Sequence, residues 1–337
     1  MTSKEAIFVT GATGFIGTIL SNELVKRRHT VHALSRETSN RKGLSHDHIR
    51  IVTGDIMNRD SLKRGMEGCT YVYHLAAYAK NWAQDNSIFF KQNVDGMRNV
   101  LEAAKEMGVR RIVIASTIVT FCPTPPGVVG DERMPRITQR CYTEYEKSKV
   151  VAEQEALQLA AQDCPVVIVN PTRVYGPGKM TEGNSVTLMI DKYDRGKLPI
   201  LLDHGKNVGN YVLVDDLVQG LILAMEKGAV GERYILGGEN VALKDFFNII
   251  DELTNTKHRQ INLPPRLALL CAGFEKKKAE LFGWYPLITP GWVEAFLKDW
   301  AYSSDKARRE LGYTTTPLRE GIRRTLEWLH HQRLKAA

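Results

Sequence analysis

Ala6-Ile7-Phe8-Val9-Thr10 runs straight into Gly11-Ala12-Thr13-Gly14-Phe15-Ile16-Gly17, and the fold is decided at this junction. The first five residues read as a short apolar strand. Ile16, Ile19, Leu20, Leu24 and Val25 then recur at helical spacing, and Lys26, Arg27 and Arg28 close the helix where its dipole favours cations. Glycine at three spots between them permits a tight turn, close backbone approach to a pyrophosphate, and close helix–strand packing. The helix N-terminus adds free amides and a favourable dipole. The spacing is GxxGxxG rather than GxGxxG, but its place at the first strand–helix junction sets it apart from a plain glycine turn. Gly11, Thr13, Gly14, Phe15, Ile16 and Gly17 are the expected phosphate cradle.

The alternation continues outward from this junction. Residues 30–34, 48–53, 71–76, 111–115 and 166–170 read as further strands, and residues 94–107 and 144–161 as helices, the first stopped by Gly108. Strands taken in turn with helices of this length imply a parallel sheet covered on both faces, a doubly wound α/β fold. After Asn170 the rhythm loosens around one helix at 185–195. A strand returns at 210–214, a helix spans 216–227, a strand spans 233–236, and helices dominate from Gly237. The expected organisation is a dinucleotide-binding Rossmann domain over residues 1–175, completed by about 210–236. A smaller, mostly helical substrate-binding lobe takes 176–209 and 237–337.

Composition narrows the class. At 337 residues the chain can hold about two domains, and 43% hydrophobic with 25% charged residues excludes a disordered or low-complexity protein. No apolar run approaches the roughly 18 residues needed to span a bilayer, so no membrane partner is expected. The run at 6–10 is too short for a signal-peptide core, which makes the cytoplasm the expected location. The five cysteines are scattered and never form a CxxC pair, which argues for free thiols and against a disulfide framework or a zinc site. The net charge of +8 is spread in short pairs with no recognition motif. Nucleic acid is therefore not expected as a partner, and the excess suits small anionic ligands.

The nucleotide choice turns on the end of the second strand. An NAD enzyme would place Asp or Glu there, roughly 20 residues past the last glycine, to hold the ribose hydroxyls. This chain has Leu34-Ser35-Arg36 instead. Arg36 can pair with a 2′-phosphate and stack on adenine, unless it is an ordinary surface arginine. NADP(H) is thus expected over NAD(H). Asp55, in Thr53-Gly54-Asp55-Ile56, is placed either to accept from the adenine amino group or to cap a helix.

Tyr145-Glu146-Lys147-Ser148-Lys149 puts a tyrosine and a lysine four apart on an expected helix, so both project from one face. An ammonium beside a phenol should draw the tyrosine pKa down from about 10. Such a tyrosine can hand a proton to a carbonyl oxygen as hydride arrives from a nicotinamide, and the lysine can reach the nicotinamide ribose. Tyr142, with Glu146 four residues on, is the weaker candidate. With the glycine pattern, this pair resembles the extended branch of the short-chain dehydrogenase/reductase superfamily. His74-Leu75-Ala76-Ala77, Asn93-Val94-Asp95-Gly96, Arg173-Val174-Tyr175-Gly176-Pro177-Gly178 and Val214-Asp215-Asp216 stand in that branch's order. The resemblance extends to Ser304-Asp305-Lys306-Ala307-Arg308 and Leu311-Gly312-Tyr313, and so covers essentially the whole chain. Within the branch the chain is most similar to the dihydroflavonol-4-reductase-like group, which includes hopanoid-associated epimerase-like proteins.

The resemblance implies roles for further residues. Thr117, in Ile114-Ala115-Ser116-Thr117, takes the place of the family's catalytic serine and keeps its hydroxyl, with Ser116 as fallback. Asn93 matches the asparagine that supports the tyrosine and lysine. Leu75, Ala76 and Ala77 line the cofactor, Pro171 and Val174 border the nicotinamide, and His74 reads as a core histidine. A homodimer is implied, packed through the helices at 94–107 and 144–161.

Three reactions are compared on this frame. A nucleotide-sugar 4,6-dehydratase would carry Asp-Glu directly after the catalytic threonine, where Ile118-Val119 cannot supply acid and base. A nucleotide-sugar epimerase would place an arginine two residues before Tyr211, where Gly209 stands, and would favour tightly held NAD. A reductase of a small carbonyl compound fits better. Tyr78, Trp82, Phe121 and Tyr175 fall in segments expected near the nicotinamide mouth and suit a largely apolar substrate, although each can equally be plain packing. A non-catalytic NADP(H)-binding sensor would tend to lose the Tyr145/Lys149 pair.

Overall fold

A computed structural model describes residues 5–336, so residues 1–4 and 337 at the ends of the two expected lobes lie outside the described residues. The first half runs β1 (Ala6–Thr10), α1 (Phe15–Lys26), β2 (Thr30–Ser35), β3 (Ile49–Thr53), α2 (Arg59–Met66) and β4 (Tyr71–His74). It continues through α3 (Ser87–Phe90), α4 (Gly96–Glu106), β5 (Arg111–Ala115), α5 (Glu144–Ala160) and β6 (Val166–Pro171). The second half begins β7 (Arg173–Tyr175), α6 (Ser185–Asp194), β8 (Ile200–Leu202), β9 (Val208–Leu213), α7 (Val214–Lys227) and β10 (Arg233–Leu236). It closes with β11 (Glu239–Ala242), α8 (Leu243–Thr254), β12 (Ile261–Leu263), α9 (Pro265–Phe282), α10 (Pro290–Phe296), α11 (Asp305–Leu311) and α12 (Leu318–Ala336).

The main sheet has seven strands in the order β10-β6-β5-β4-β1-β2-β3, all parallel. Both of its faces are covered, because alternate residues of one strand point to opposite sides. Ile7 and Val9 join Leu20, Leu24, Leu217 and Leu221 beneath α1 and α7. Phe8, between them, joins Leu62, Val100, Leu101 and Ala156 beneath α2, α4 and α5. The chain order reverses between β1 and β4, so a crevice opens at the carboxyl ends of these two strands, where open α/β sheets bind ligands. His74 faces Thr10 across that junction, with its Nδ1 2.8 Å from the Thr10 hydroxyl. Burial holds its pKa down at about 3, which makes it the neutral core histidine expected.

One expectation is corrected. The strand expected at 210–214 lies in a separate three-stranded sheet, β11-β9-β7, so only β10 crosses back to extend the main one. β10 already occupies the free edge of β6, pairing Arg233 with Ile168 and Leu236 with Pro171. Pro171 has no amide for a ladder, and the chain turns out of the sheet there to form β7, which takes β9 as its parallel partner. This small sheet packs with α6, α8 and α12 around Tyr175, Tyr211, Phe246, Ile250 and Ile322, a core of its own.

Candidate active site

The cradle after β1 is shaped by backbone crowding. Gly11 has φ +70°, and a Cβ there would stand 2.6 Å from the Ala76 amide nitrogen at the end of β4. A Cβ on Gly17 would stand 2.1 Å from the Gly11 carbonyl oxygen. Gly14 differs: a Cβ there would meet only the Gly11 oxygen, at 3.2 Å, and would otherwise project into open space. Gly14 is also the N-cap of α1 and offers no side-chain cap, leaving the first-turn amides to an external acceptor. Open space above uncapped amides fits a dinucleotide pyrophosphate. Ala76, held by its amide to the Thr10 hydroxyl at 3.2 Å, lies beside the cradle between partly buried Leu75 and exposed Ala77.

A cavity of about 670 Å³ opens beside the cradle, lined in part by Thr13, Phe15, Arg36, Lys42 and Lys179. Phe15 is buried and packs where a Cβ on Gly178 would meet its ring at 2.6 Å. Ile16 leans into the core. Arg36 is exposed on the cavity wall. Lys179 and Lys42, neither of which the motifs singled out, add basic groups to that wall. Lys179 Nζ donates to the carbonyls of Thr13 at 2.8 Å and Asn40 at 3.2 Å, tying the second half of the chain to the cradle. Arg41 braces the ends of β2 and β3 through Ser35 at 3.1 Å and Thr53 at 3.4 Å. Asp55 Oδ1 accepts from the Met57 amide at 2.9 Å, and α2 is capped by Asn58 instead. Ile56 is buried against Gly96, so its side chain is a core element.

The polar residues gather at the carboxyl end of β5. Thr143 caps α5, accepting from the Glu146 amide at 3.1 Å, while the Glu146 carboxylate takes the Tyr142 amide at 2.7 Å. This reciprocal capping commits Glu146 and sets Tyr145 in the first helical turn, near enough to the Thr117 hydroxyl for it to act on the phenol. Asn93 sits in a π-helical turn, Lys91–Asp95, before α4. Its Nδ2 donates to Ser148 Oγ at 2.9 Å, and its Oδ1 accepts from the Tyr78 amide at 2.7 Å. It therefore pins the segment after β4 to α5. Lys149 Nζ donates to the Ala115 carbonyl at 3.1 Å.

The electrostatics correct one inference. Burial pushes the Tyr145 phenol up to about 12, against the smaller downward pull of the Thr117 hydroxyl. Lys149 is itself desolvated and sits at about 8, with Glu153 drawing it upward. Its ammonium is turned to a backbone carbonyl, so burial of the phenol outweighs the expected attraction. Tyr145 is a protonated donor near neutral pH.

Glu153, one turn beyond Lys149, was not singled out in the sequence. Its buried carboxylate accepts from Ser116, from Thr120 at 2.9 Å and from Asn170 at 2.7 Å, and pairs with Arg233 at 3.2 Å. It thereby ties together the ends of β5 and β6, and Ser116 is spent in this network, leaving Thr117 as the hydroxyl beside Tyr145. The signal lay in its spacing: the helical face that carries Tyr145 and Lys149 continues through residue 153.

The expected pocket aromatics divide. Tyr78 and Trp82 lie partly exposed after β4, with Tyr78 edge-on to Phe89 at 5.0 Å and Trp82 edge-on to Tyr285 at 6.0 Å. Phe121 and Tyr175 are buried packing residues instead. Phe121 lies under the Arg233 guanidinium, 4.5 Å from its ring centroid, and Tyr175 donates to the Leu318 carbonyl at 3.4 Å inside the lobe core. Pro171 is buried at the end of β6 and Val174 is partly buried beside the main core.

Residues 7–237 match the NAD dependent epimerase/dehydratase family. A Synechocystis sp. protein named "Putative dihydroflavonol 4-reductase" is 30% identical over 331 residues, covering 97% of this chain and 95% of that one. The 4-hydroxy-2-methyl-3-oxo-4-farnesyl-3,4-dihydroquinoline-1-oxide ketoreductase of Stigmatella aurantiaca is 30% identical over 314 residues, 91% of each chain. Among solved structures, the crystal structure of gox2253 superposes with a TM-score of 0.83 at 32% identity, covering 97% of this chain and 98% of that one. The glycine cradle and the Tyr145/Lys149 helix are therefore those of a member of the NAD dependent epimerase/dehydratase family, an NAD(P)-dependent enzyme of the extended short-chain dehydrogenase/reductase type.

Proposed function

We propose that this chain is an NADPH-dependent reductase of a ketone or aldehyde on a largely apolar small molecule. The observation that carries the reading is the Tyr145 phenol, kept protonated by burial beside the Thr117 hydroxyl. A reductase needs a proton donor beside a hydroxyl that can hold the substrate oxygen, and burial supplies one over the whole working pH range. The nicotinamide cofactor, when bound, supplies the hydride. Tyr145 gives the proton to the developing alkoxide, Thr117 orients that oxygen, and Lys149, charged below about pH 8, would hold the nicotinamide ribose. Asn93 keeps the Tyr78 segment and α5 in register. Arg36 and Lys42, both on the cavity wall, would pair with a 2′-phosphate, and no carboxylate ends β2 to repel one. The ketoreductase among the relatives agrees with this reading.

The test is transfer of deuterium from 4-deuterated NADPH to a panel of lipophilic ketones and aldehydes. Label in the alcohol from wild type, and none from Tyr145→Phe, is the expected result. A non-catalytic sensor would bind NADPH and label nothing.

One observation favours a second reading, a sugar or nucleotide-sugar epimerase. The Arg173 guanidinium lies where a side chain at Gly209 would project, 2.5 Å from the would-be Cβ, and donates to the Tyr211 hydroxyl at 3.0 Å. It supplies from a neighbouring strand the cation such enzymes carry at position 209. An epimerase would pass hydride from the sugar to its own bound cofactor and back within each turnover, leaving the added deuterated NADPH unconsumed and no reduced product.

A further inference from the structure

The C-terminal lobe carries an apolar surface that neither the cradle nor the expected dimer helices use. Among the described residues 17 large apolar side chains stand well exposed, and eight of them fall between residues 267 and 287. Leu270 is 64% exposed, Phe274 75%, Leu281 78% and Leu287 86%. Scattered singly, such residues would need no explanation, but a contiguous group marks an interaction surface.

Helical spacing sorts α9 into two faces. At about 3.6 residues per turn, Leu267, Leu270, Phe274 and Leu281 share one side. Ala268, Ala272 and Ala279 share the other; all three are buried, and they let the helix lie close to the body of the lobe. The inward side is thus filled by these alanines with Leu269 beside them, and the four large residues of the outward side contribute nothing to it. At the same spacing Arg266, Lys277 and Lys278 edge the outward stripe. Residues 265–287 hold four basic side chains (Arg266, Lys276, Lys277, Lys278) and two acidic ones (Glu275, Glu280), a net +2. The Lys278 ammonium stands 5.4 Å from the Trp284 ring centroid. Leu and Phe on one side, lysines at its edges and Trp and Tyr at its end are what a helix needs to lie in the headgroup–acyl boundary of an anionic bilayer.

We propose that α9 and the turn after it dock this protein onto an anionic membrane surface, with Leu270, Phe274 and Leu281 in the acyl boundary and the lysines at the lipid phosphates. Among the described residues no helix is long and apolar enough to cross a membrane, so the contact is peripheral. The same turn reaches the mouth of the candidate site. The Tyr285 hydroxyl accepts from the Asn81 amide at 3.2 Å and donates to Glu182 at 3.1 Å, and its ring meets Trp82. Docked this way, the segment carrying Tyr78 and Trp82 faces the bilayer, and an apolar carbonyl compound enters from the lipid phase. That route rests on the reductase reading, whereas the docking does not.

The experiment is co-sedimentation of the full chain with vesicles of phosphatidylcholine mixed with phosphatidylglycerol, against vesicles of phosphatidylcholine alone. Wild type is expected to pellet with the anionic vesicles at low salt and to be released as salt rises. Lys276→Glu/Lys277→Glu/Lys278→Glu is expected to lower partitioning by about a hundredfold, and Leu270→Ser/Phe274→Ser/Leu281→Ser to abolish it. Both variants should keep the wild-type melting temperature and NADPH affinity, which separates lost docking from lost folding. Wild type that stays in solution with both vesicle types overturns the proposal, as does serine-variant binding equal to wild type. A serine variant that falls to a smaller oligomer, with no vesicle binding by wild type, assigns the stripe to a second copy of the chain and likewise overturns it.

Discussion

Around the glycine cradle, backbone atoms crowd within 2.6 Å of where side chains at Gly11 and Gly17 would begin, whereas on α9 Phe274 and Leu281 extend from the lobe at 75% and 78% exposure. In the first region the chain's own backbone dictates which residue can stand at each position. In the second the fold places almost no demand, so the choice of large apolar residues must answer to something outside the chain. The carboxyl end of β5 belongs with the cradle: Ser116, Lys149 and Glu153 are buried there, and each is held by another part of the protein.

The contrast can be broken most sharply at Tyr145. Tyr145→Phe keeps the ring and removes the proton donor, so kcat should fall by about 10³-fold with little change in melting temperature. A fall of less than tenfold would move the donor elsewhere. Glu153→Gln should cost about 3 kcal/mol in denaturant unfolding, because Arg233 is left without its buried partner. A cost below about 0.5 kcal/mol would mean the network is not held as described.

Next comes the direct comparison of the two regions. Gly17→Ala adds one methyl and should cost about 2 kcal/mol while weakening dinucleotide binding. Phe274→Ala removes a whole ring and should stay within about 0.5 kcal/mol of wild type. Reversal of that order would end the distinction. Arg36→Ala should weaken NADPH by about tenfold and leave NADH unchanged in fluorescence titration. Equal loss for both would make Arg36 a surface residue.

The pH profile sharpens the catalytic side. Lys149, at about 8, is charged below that pH and neutral above it, so kcat/KM should decline as pH rises through about 8. Glu153→Gln removes the charge that draws Lys149 upward and should move this limb to lower pH. Stability runs the opposite way. The folded pKa lies below the unfolded 10.5, so the unfolded chain binds more protons between them, and this residue's contribution makes the fold more stable as pH rises from about 8 to 10.5. A rate profile flat to pH 10 would remove Lys149 from the account.

Much of this was legible from local pattern. Strand–glycine–helix order and a four-residue tyrosine–lysine spacing are short-range signals, and they place the cradle and α5 correctly. Position alone did not give energies: the Tyr145/Lys149 spacing suggested a lowered phenol pKa, but burial, which depends on the whole fold, raises it. Sheet membership was equally hidden. Residues 208–213 look like any strand, yet β10 had taken the edge beside β6, so they joined β7. Phe121 and Tyr175 carried the composition of a pocket and serve as packing, because sequence gives an aromatic's place but not the direction it faces. Glu153 escaped notice because a carboxylate on a helix usually faces water, and only the fold shows this one buried.

The most direct test of the central claim is titration of the purified protein with NADPH and NADH by fluorescence, after assay for co-purified nucleotide. A site that exchanges its cofactor and binds NADPH at least about tenfold more tightly than NADH is the expected result. NAD that is retained through dialysis would contradict it and place the epimerase reading, with Arg173 as its anion anchor, first.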